Sequence, residues 1–185
     1  SEFRFQGRPL PALKSLDHDQ RVVYAGTFSK VLFPGLRLGY LVLPDALLAP
    51  FTAALSRLNA GRATFLQDVV AAFMTEGHFA RHLRRMRRLY AARREALATA
   101  LTATFRDRIV IALQPGGMHL VVRFRDRASD VTLAKRAQAA GFAVDALSTR
   151  AIASCTDAGL LLGFTNVAEA DAMDIARKLA RALKI

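Results

Sequence analysis

The chain holds 185 residues, 52% of them hydrophobic, with a formal net charge of +12 and one cysteine. That apolar content excludes a disordered tail and is enough for one ordinary core or two smaller layers. No apolar run reaches the roughly 20 residues that cross a bilayer, the lone Cys155 excludes an intrachain disulfide, and the positive charge favours an anionic partner without naming one.

The chain opens on Ser1 rather than methionine and lacks the basic-then-apolar pattern of a signal peptide, so the expectation is a piece of a longer, cytoplasmic protein. Residues 21–28 (RVVYAGTF) and 36–43 (LRLGYLVL) are rich in Val, Leu and Tyr and read as two short buried strands, joined by a loop with Pro34 and Gly35. Residues 45–58 have helical apolar spacing with Asp45 as N-cap, and residues 64–77 read as a second helix closed by Gly77. From His78 to about Thr104, Phe79, Leu83, Met86, Leu89, Tyr90, Leu97 and Leu101 recur at three and four residues, the mark of a long helix with one buried stripe. Beyond Phe105 come strands at 108–113 and 118–124 around a Pro-Gly-Gly turn, a helix near 131–140 ended by Gly141, strands at 142–147 and 159–166, and a last helix capped by Asn166 with Glu169 three residues on. That order predicts an α+β unit.

Lys30 falls in the connection between the first two strands. An ammonium beside an apolar wall loses hydration, which disfavours its charge and frees its amine as a nucleophile for a Schiff base. Thr27 and Ser29 offer hydroxyls nearby, and Arg37 offers a planar, permanently charged fork suited to phosphate. Together they suggest a phosphorylated aldehyde held by covalent and ionic contacts. On residues alone, the competing reading is a loop that Lys30 and Arg37 merely solvate.

The stretch YAGTFSKVLFPGLRLGYLVLP resembles the cofactor-lysine segment of fold-type I pyridoxal-phosphate aminotransferases, and most of all the aminotransferase-like domain of MocR-type regulators in the GntR superfamily. The resemblance extends through SEFRFQGRPLPALKSLD, EGHFARHLRRMRRLYAARREAL and LLLGF, so it covers nearly the whole chain. It implies an α/β fold: residues 1–44 end the large cofactor-binding domain, 45–105 form a helical connector, and 106–185 form a small carboxy-terminal α+β domain. It also implies that Lys30 carries pyridoxal 5'-phosphate as an internal aldimine and that Thr27, Ser29 and Arg37 bind its phosphate. In such regulators the Asp that pairs with the ring nitrogen, and a winged helix-turn-helix that reads DNA, lie upstream of SEFR. The parent is thus expected to be a homodimer that senses the cofactor or an amino compound, and this piece alone is expected to be inactive. A free-standing aminotransferase acting on an amino acid and a 2-oxo acid is the alternative reading, and a basic nucleic-acid-binding or structural piece without cofactor is a third. Related aminotransferases grip the substrate carboxylate with an arginine whose position falls here on Leu161. Arg150 and Arg123 are the candidates to replace it, with surface roles as the plainer reading.

Arg81, Arg84, Arg85, Arg87, Arg88, Arg93 and Arg94 are dense enough to attract phosphates, although arginines opposite an apolar stripe are usually solvated or paired. His78 and His82 share a face at zinc-binding spacing but have no third ligand, so no metal site is expected. His119 reads as a core or edge histidine, Gly116 and Gly117 as a tight turn, and Cys155 lies in a loop without a base to activate it.

Overall fold

The computed structural model describes residues 2–58, 64–126, 128–152 and 158–184. They divide into two compact units, one of residue 2 with 8–84 and the other of residues 3–7 with 85–185.

The first unit begins with a 3₁₀ turn, Leu13–Leu16, followed by a loop tied to one carboxylate. Asp17 accepts from Lys14 Nζ at 2.8 Å and from the backbone N–H groups of Arg21 and Val22 at 2.8 and 3.0 Å. These bonds, that from Lys14 first, hold its carboxyl down to about 2. Strands β1 (Tyr24–Thr27) and β2 (Gly39–Val42) then pair antiparallel, with Tyr24 opposite Val42 and Thr27 opposite Gly39. The expected pair is present but shorter than the apolar text, and it is not buried: β1 alternates between half-buried and exposed positions, and all of β2 is exposed. Two strands alone cannot cover their own faces.

Helices α1 (Asp45–Leu58), α2 (Phe65–Thr75) and α3 (His78–Phe105) follow. Asp45 is the first helical residue rather than a cap. Its N–H donates to Gln20 Oε1 at 3.2 Å, and its carboxylate accepts from Gln20 Nε2 at 3.4 Å. Gly77 separates α2 from α3 with φ +75°, a conformation that a residue with a Cβ adopts only at a cost. The apolar stripe of α3 is unevenly buried, since Phe79, Leu83, Met86, Leu89 and Tyr90 are half-buried and only Leu97 and Leu101 are fully covered.

The second unit is a four-stranded antiparallel sheet in the order β3–β4–β6–β5, built from β3 (Ile109–Ile111), β4 (His119–Phe124), β5 (Val144–Ala146) and β6 (Leu160–Gly163). Period-two alternation sends Leu120, Val122, Leu160, Leu162, Val144 and Ala146 into a core shared with Leu97, Leu101 and Phe105 of α3. Leu133 and Ala137 of α4 (Asp130–Ala139) and Ala176, Leu179 and Leu183 of α5 (Ala172–Leu183) complete it. The expected order of strands and helices is therefore present, but the final helix starts differently. Residues Glu169–Asp171 form a 3₁₀ turn, and α5 begins at Ala172, so Asn166 lies outside the helix and caps nothing. His119 is neither core nor edge, because β4 is an inner strand and His119 is exposed on its outer face.

Two of the arginines expected on the solvated face of α3 are held inside this unit. Arg94 is buried, donates to the Gln114 carbonyl at 2.8 Å and lies 5.0 Å over the ring of Phe5; Arg93 is half-buried and donates to the Thr165 carbonyl. The residues around Phe5 reach this position through Gly116. Arg4 bridges to Gly116, Gly117 N–H donates to Phe3 O at 2.9 Å, and Phe5 N–H donates to Pro115 O at 2.8 Å. A Cβ on Gly116 would stand 2.6 Å from Phe3 O, a contact with backbone that cannot swing away. Gly116→Ala is therefore expected to lower stability by about 1–3 kcal/mol, the cost of losing these buried bonds, as read from urea unfolding. An unchanged midpoint would show that residues 3–7 do not depend on this approach.

Candidate functional site

The loop end of the β1–β2 hairpin carries all four expected cofactor residues. The pairing stops at Thr27 opposite Gly39, and the connection is stitched by Phe28 N–H donating to Leu38 O at 3.0 Å and Leu32 N–H donating to Phe28 O at 2.8 Å. Thr27 Oγ1 accepts from Ser29 N–H at 3.1 Å and donates to Leu38 O at 3.4 Å, so the threonine hydroxyl sets the turn that presents Ser29 and Lys30. Phe28 and Val31 are buried while Lys30 is exposed, so the apolar wall expected to strip water from the lysine does not cover it: those side chains turn inward and the lysine turns outward.

Arg37 closes the 3₁₀ turn Pro34–Leu36 in the left-handed region, with φ 49° and ψ 30°. Left-handed backbone costs a non-glycine residue about 1–2 kcal/mol. Pro34 at the start of the turn and the buried Leu36 at its end hold the arginine there. Among the described residues neither Lys30 nor Arg37 is ion-paired, so both cations are available to an anion.

One group of neighbours escaped the sequence reading. Tyr40 stands opposite Gly26 and its ring lies over that glycine, where a Cβ would come within 2.2 Å of it. The ring also packs against Phe28 at 5.3 Å and Tyr24 at 6.0 Å between centroids. Burial first, and then the hydrogen bond with Tyr24, push the Tyr40 phenol above its ordinary range. Thr27, Phe28, Val31, Tyr40, Met74 and Phe79 line a cavity of about 400 Å³. The signal was the strand register, which becomes readable only once the pairing is known.

The remaining candidates sit elsewhere. His82 bonds to the Val31 carbonyl at 2.8 Å, and His78 meets Arg81 at 2.7 Å and Glu76 at 3.2 Å. Arg150 pairs with Asp145 at the edge strand β5. Leu161 pairs with Val121 on the outer face of the sheet, and Arg123 stands opposite Val110. Cys155 lies outside the described residues. No helix among the described residues is long and apolar enough to cross a membrane.

These elements recur in known proteins. A family model described as aminotransferase class I and II matches residues 2–157. The probable rhizopine catabolism regulatory protein MocR of Rhizobium meliloti is 40% identical over 167 residues, which cover 90% of this chain and 34% of that protein. The pyridoxine biosynthesis transcriptional regulator PdxR of Corynebacterium glutamicum is 33% identical, with 89% of this chain and 35% of that protein covered. Among solved structures, the α-aminoadipate aminotransferase LysN of Thermus thermophilus, complexed with N-(5'-phosphopyridoxyl)-L-leucine, superposes with a TM-score of 0.83 at 27% identity, over 99% of this chain and 48% of that one. The kynurenine aminotransferase of Pyrococcus horikoshii gives 0.82 at 28% identity, over 99% and 45%. The chain thus spans about a third of these curated relatives and less than half of these solved structures. On the span of the family model and the agreement of the fold, the chain belongs to the aminotransferase class I and II family.

Proposed function

We propose that this chain is part of the aminotransferase-like effector domain of a bacterial transcriptional regulator, with pyridoxal 5'-phosphate held through Lys30. The observation that carries this reading is the hairpin connection: two hydroxyls, an amine and a left-handed arginine between β1 and β2, with neither cation paired among the described residues. That donor set fits a phosphorylated aldehyde. The Ser29 hydroxyl and the Arg37 fork would hold the phosphate, joined by the Thr27 hydroxyl on releasing the Leu38 carbonyl, and Lys30 Nζ would be the amine that binds the aldehyde and can carry a proton. Bound there, pyridoxal phosphate supplies an electron-withdrawing ring that acidifies the α-proton of an amino compound. The regulator names of the relatives support transcription as the output; on this reading the parent is a homodimer that reads DNA through an amino-terminal domain.

A free-standing aminotransferase is the second reading, favoured by the enzymes among the solved structures. Leu161 weighs against it, because its aliphatic side chain offers a substrate carboxylate no charge. Borohydride reduction of the cofactor-loaded parent followed by peptide mapping separates cofactor from no cofactor. The phosphopyridoxyl mark is expected on the peptide with Lys30, and a mark elsewhere removes the reading. Turnover of an amino acid to its 2-oxo acid, without any ligand-dependent change in transcription, selects the enzyme instead.

Arg37 makes a more exacting prediction. Arg37→Gly relieves the left-handed backbone and should stabilise the turn by about 1 kcal/mol. It also removes a charge-assisted partner of the phosphate, whose contribution of about 1.5–3 kcal/mol corresponds to roughly 10- to 100-fold weaker cofactor binding. Stability and affinity should move in opposite directions, as read from a melting curve and a cofactor titration. A loss of both would mean that Arg37 serves the fold alone.

A further inference from the structure

The cofactor site leaves unused a strongly charged surface of the second unit. Helix α5 buries Ala172, Ala176, Leu179 and Leu183 and turns Arg177, Lys178 and Arg181 to solvent, and the exposed Lys184 follows as its C-cap. Arg177 and Arg181 share a face at i and i+4, about 6 Å apart along the axis at 1.5 Å per residue, and Lys184, the left-handed C-cap, prolongs the stripe past the last turn. Helix α4 adds to it, because Arg136 Nη1 donates to the Leu183 carbonyl at 3.2 Å and so lies at the end of the stripe. The one acid on α5, Asp174, is 3.3 Å from Lys178 and offsets that lysine. Glu169 and Asp171 precede the helix at its opposite end.

Two ordinary explanations cover only part of this surface. The negative end of the α5 dipole, worth about half a charge, accounts for some of the attraction felt by Arg136, Arg181 and Lys184 but not for Arg177. Solvation of an outer helix face explains why these residues are polar, not why nearly all carry one sign. Side chains spread along a rigid ridge, rather than converging on a cavity, suit a repeated anion better than a single small one. We propose that the outer face of α4 and α5 is a sequence-nonspecific contact for the sugar-phosphate backbone of duplex DNA. The proposal rests on the regulator reading above, since a regulator already brings DNA to the molecule. Even a weak second contact on the same duplex raises overall affinity through effective concentration, without reading any base.

The test uses the intact parent protein and a nonspecific duplex. Replacing Arg177, Arg181 and Lys184 together by serine should lower affinity at least tenfold at about 0.1 M salt and reduce the steepness of log affinity against log salt by about 2–3, since each phosphate contact contributes roughly 0.9. Arg177→Lys with Arg181→Lys keeps the charge and should keep the affinity. Affinity and slope equal to the parent in the serine variant would overturn the proposal. A second measurement needs no variant: acylation of Lys184 in the unaltered protein should slow several-fold when duplex is added, and an unchanged rate overturns the proposal equally. The unaltered parent, measured beside the variant, reports on the regulator reading: no binding of duplex by either protein removes that reading and the surface with it, whereas equal binding by both overturns the surface alone.

Discussion

Replacing Lys30 by alanine is expected to abolish the visible absorbance band of the cofactor-loaded parent and to let the cofactor wash off on gel filtration. The rest of the site cannot compensate. Thr27, Ser29 and Arg37 offer only reversible contacts to the phosphate end, each worth a few kcal/mol at most, while the amine supplies the covalent link. Lys30→Arg should fail as badly, because a guanidinium that stays protonated is no nucleophile. The fold should be indifferent to either change, since Lys30 is exposed and is not ion-paired among the described residues. A small external amine is expected to restore part of the band in the alanine variant, which separates missing chemistry from a damaged pocket. An unaltered band in Lys30→Ala would falsify the assignment.

The parts of this site legible in the sequence are those fixed by local chemistry. A lysine between two apolar runs, with hydroxyls before it and Pro-Gly before an arginine, marks a turn at the end of a hairpin, and the hairpin is there. Helix ends at Gly77 and Gly141 were legible for the same reason, because positive φ favours glycine; both residues have it, at +75° and +87°. Long-range placement was not legible. Nothing in a single helical period tells that Arg94 points inward onto Phe5, about ninety residues away in sequence, while Arg88 stays exposed. The covering over Gly26 depends on which residue of β2 stands opposite, and a slip of one position would have placed Leu41 or Gly39 there instead of Tyr40. The sequence overstates the burial of β1 and β2, because apolar composition records what a strand can pack against, not whether these residues supply the partner.

Asp130 is the clearest residue whose importance the sequence concealed, since Ser-Asp before an apolar helix looks like an ordinary start signal. Ser129 does take the cap, accepting from Thr132 N–H at 3.4 Å, which leaves Asp130 free for another task. Its carboxylate is buried and accepts from Ser148 N–H at 2.9 Å, Ser148 Oγ at 2.7 Å and Gly159 N–H at 3.1 Å, tying the start of α4 to both ends of the segment between β5 and β6. Burial by itself raises such a carboxyl, but the hydrogen bonds from Ser148 and Gly159 outweigh it and hold the group below its ordinary value. Because the folded value is depressed, the stabilisation is fully present above the unfolded value of about 3.9 and is lost as pH falls through the folded value. Asp130→Ala strands two buried N–H groups at about 1–3 kcal/mol each and should cost roughly 2–5 kcal/mol in urea unfolding at neutral pH. Asp130→Asn is the informative companion. Its oxygen can take the place that accepts both N–H groups while its NH₂ donates to the Ser148 hydroxyl, so about 1 kcal/mol of loss is expected, characteristic of exchanging a charged for a neutral hydrogen bond. The gap between the aspartate and asparagine proteins should then close below about pH 4, as the aspartate protonates. If the gap stays constant down to the acid transition, the carboxylate's charge contributes nothing and shape alone holds the segment.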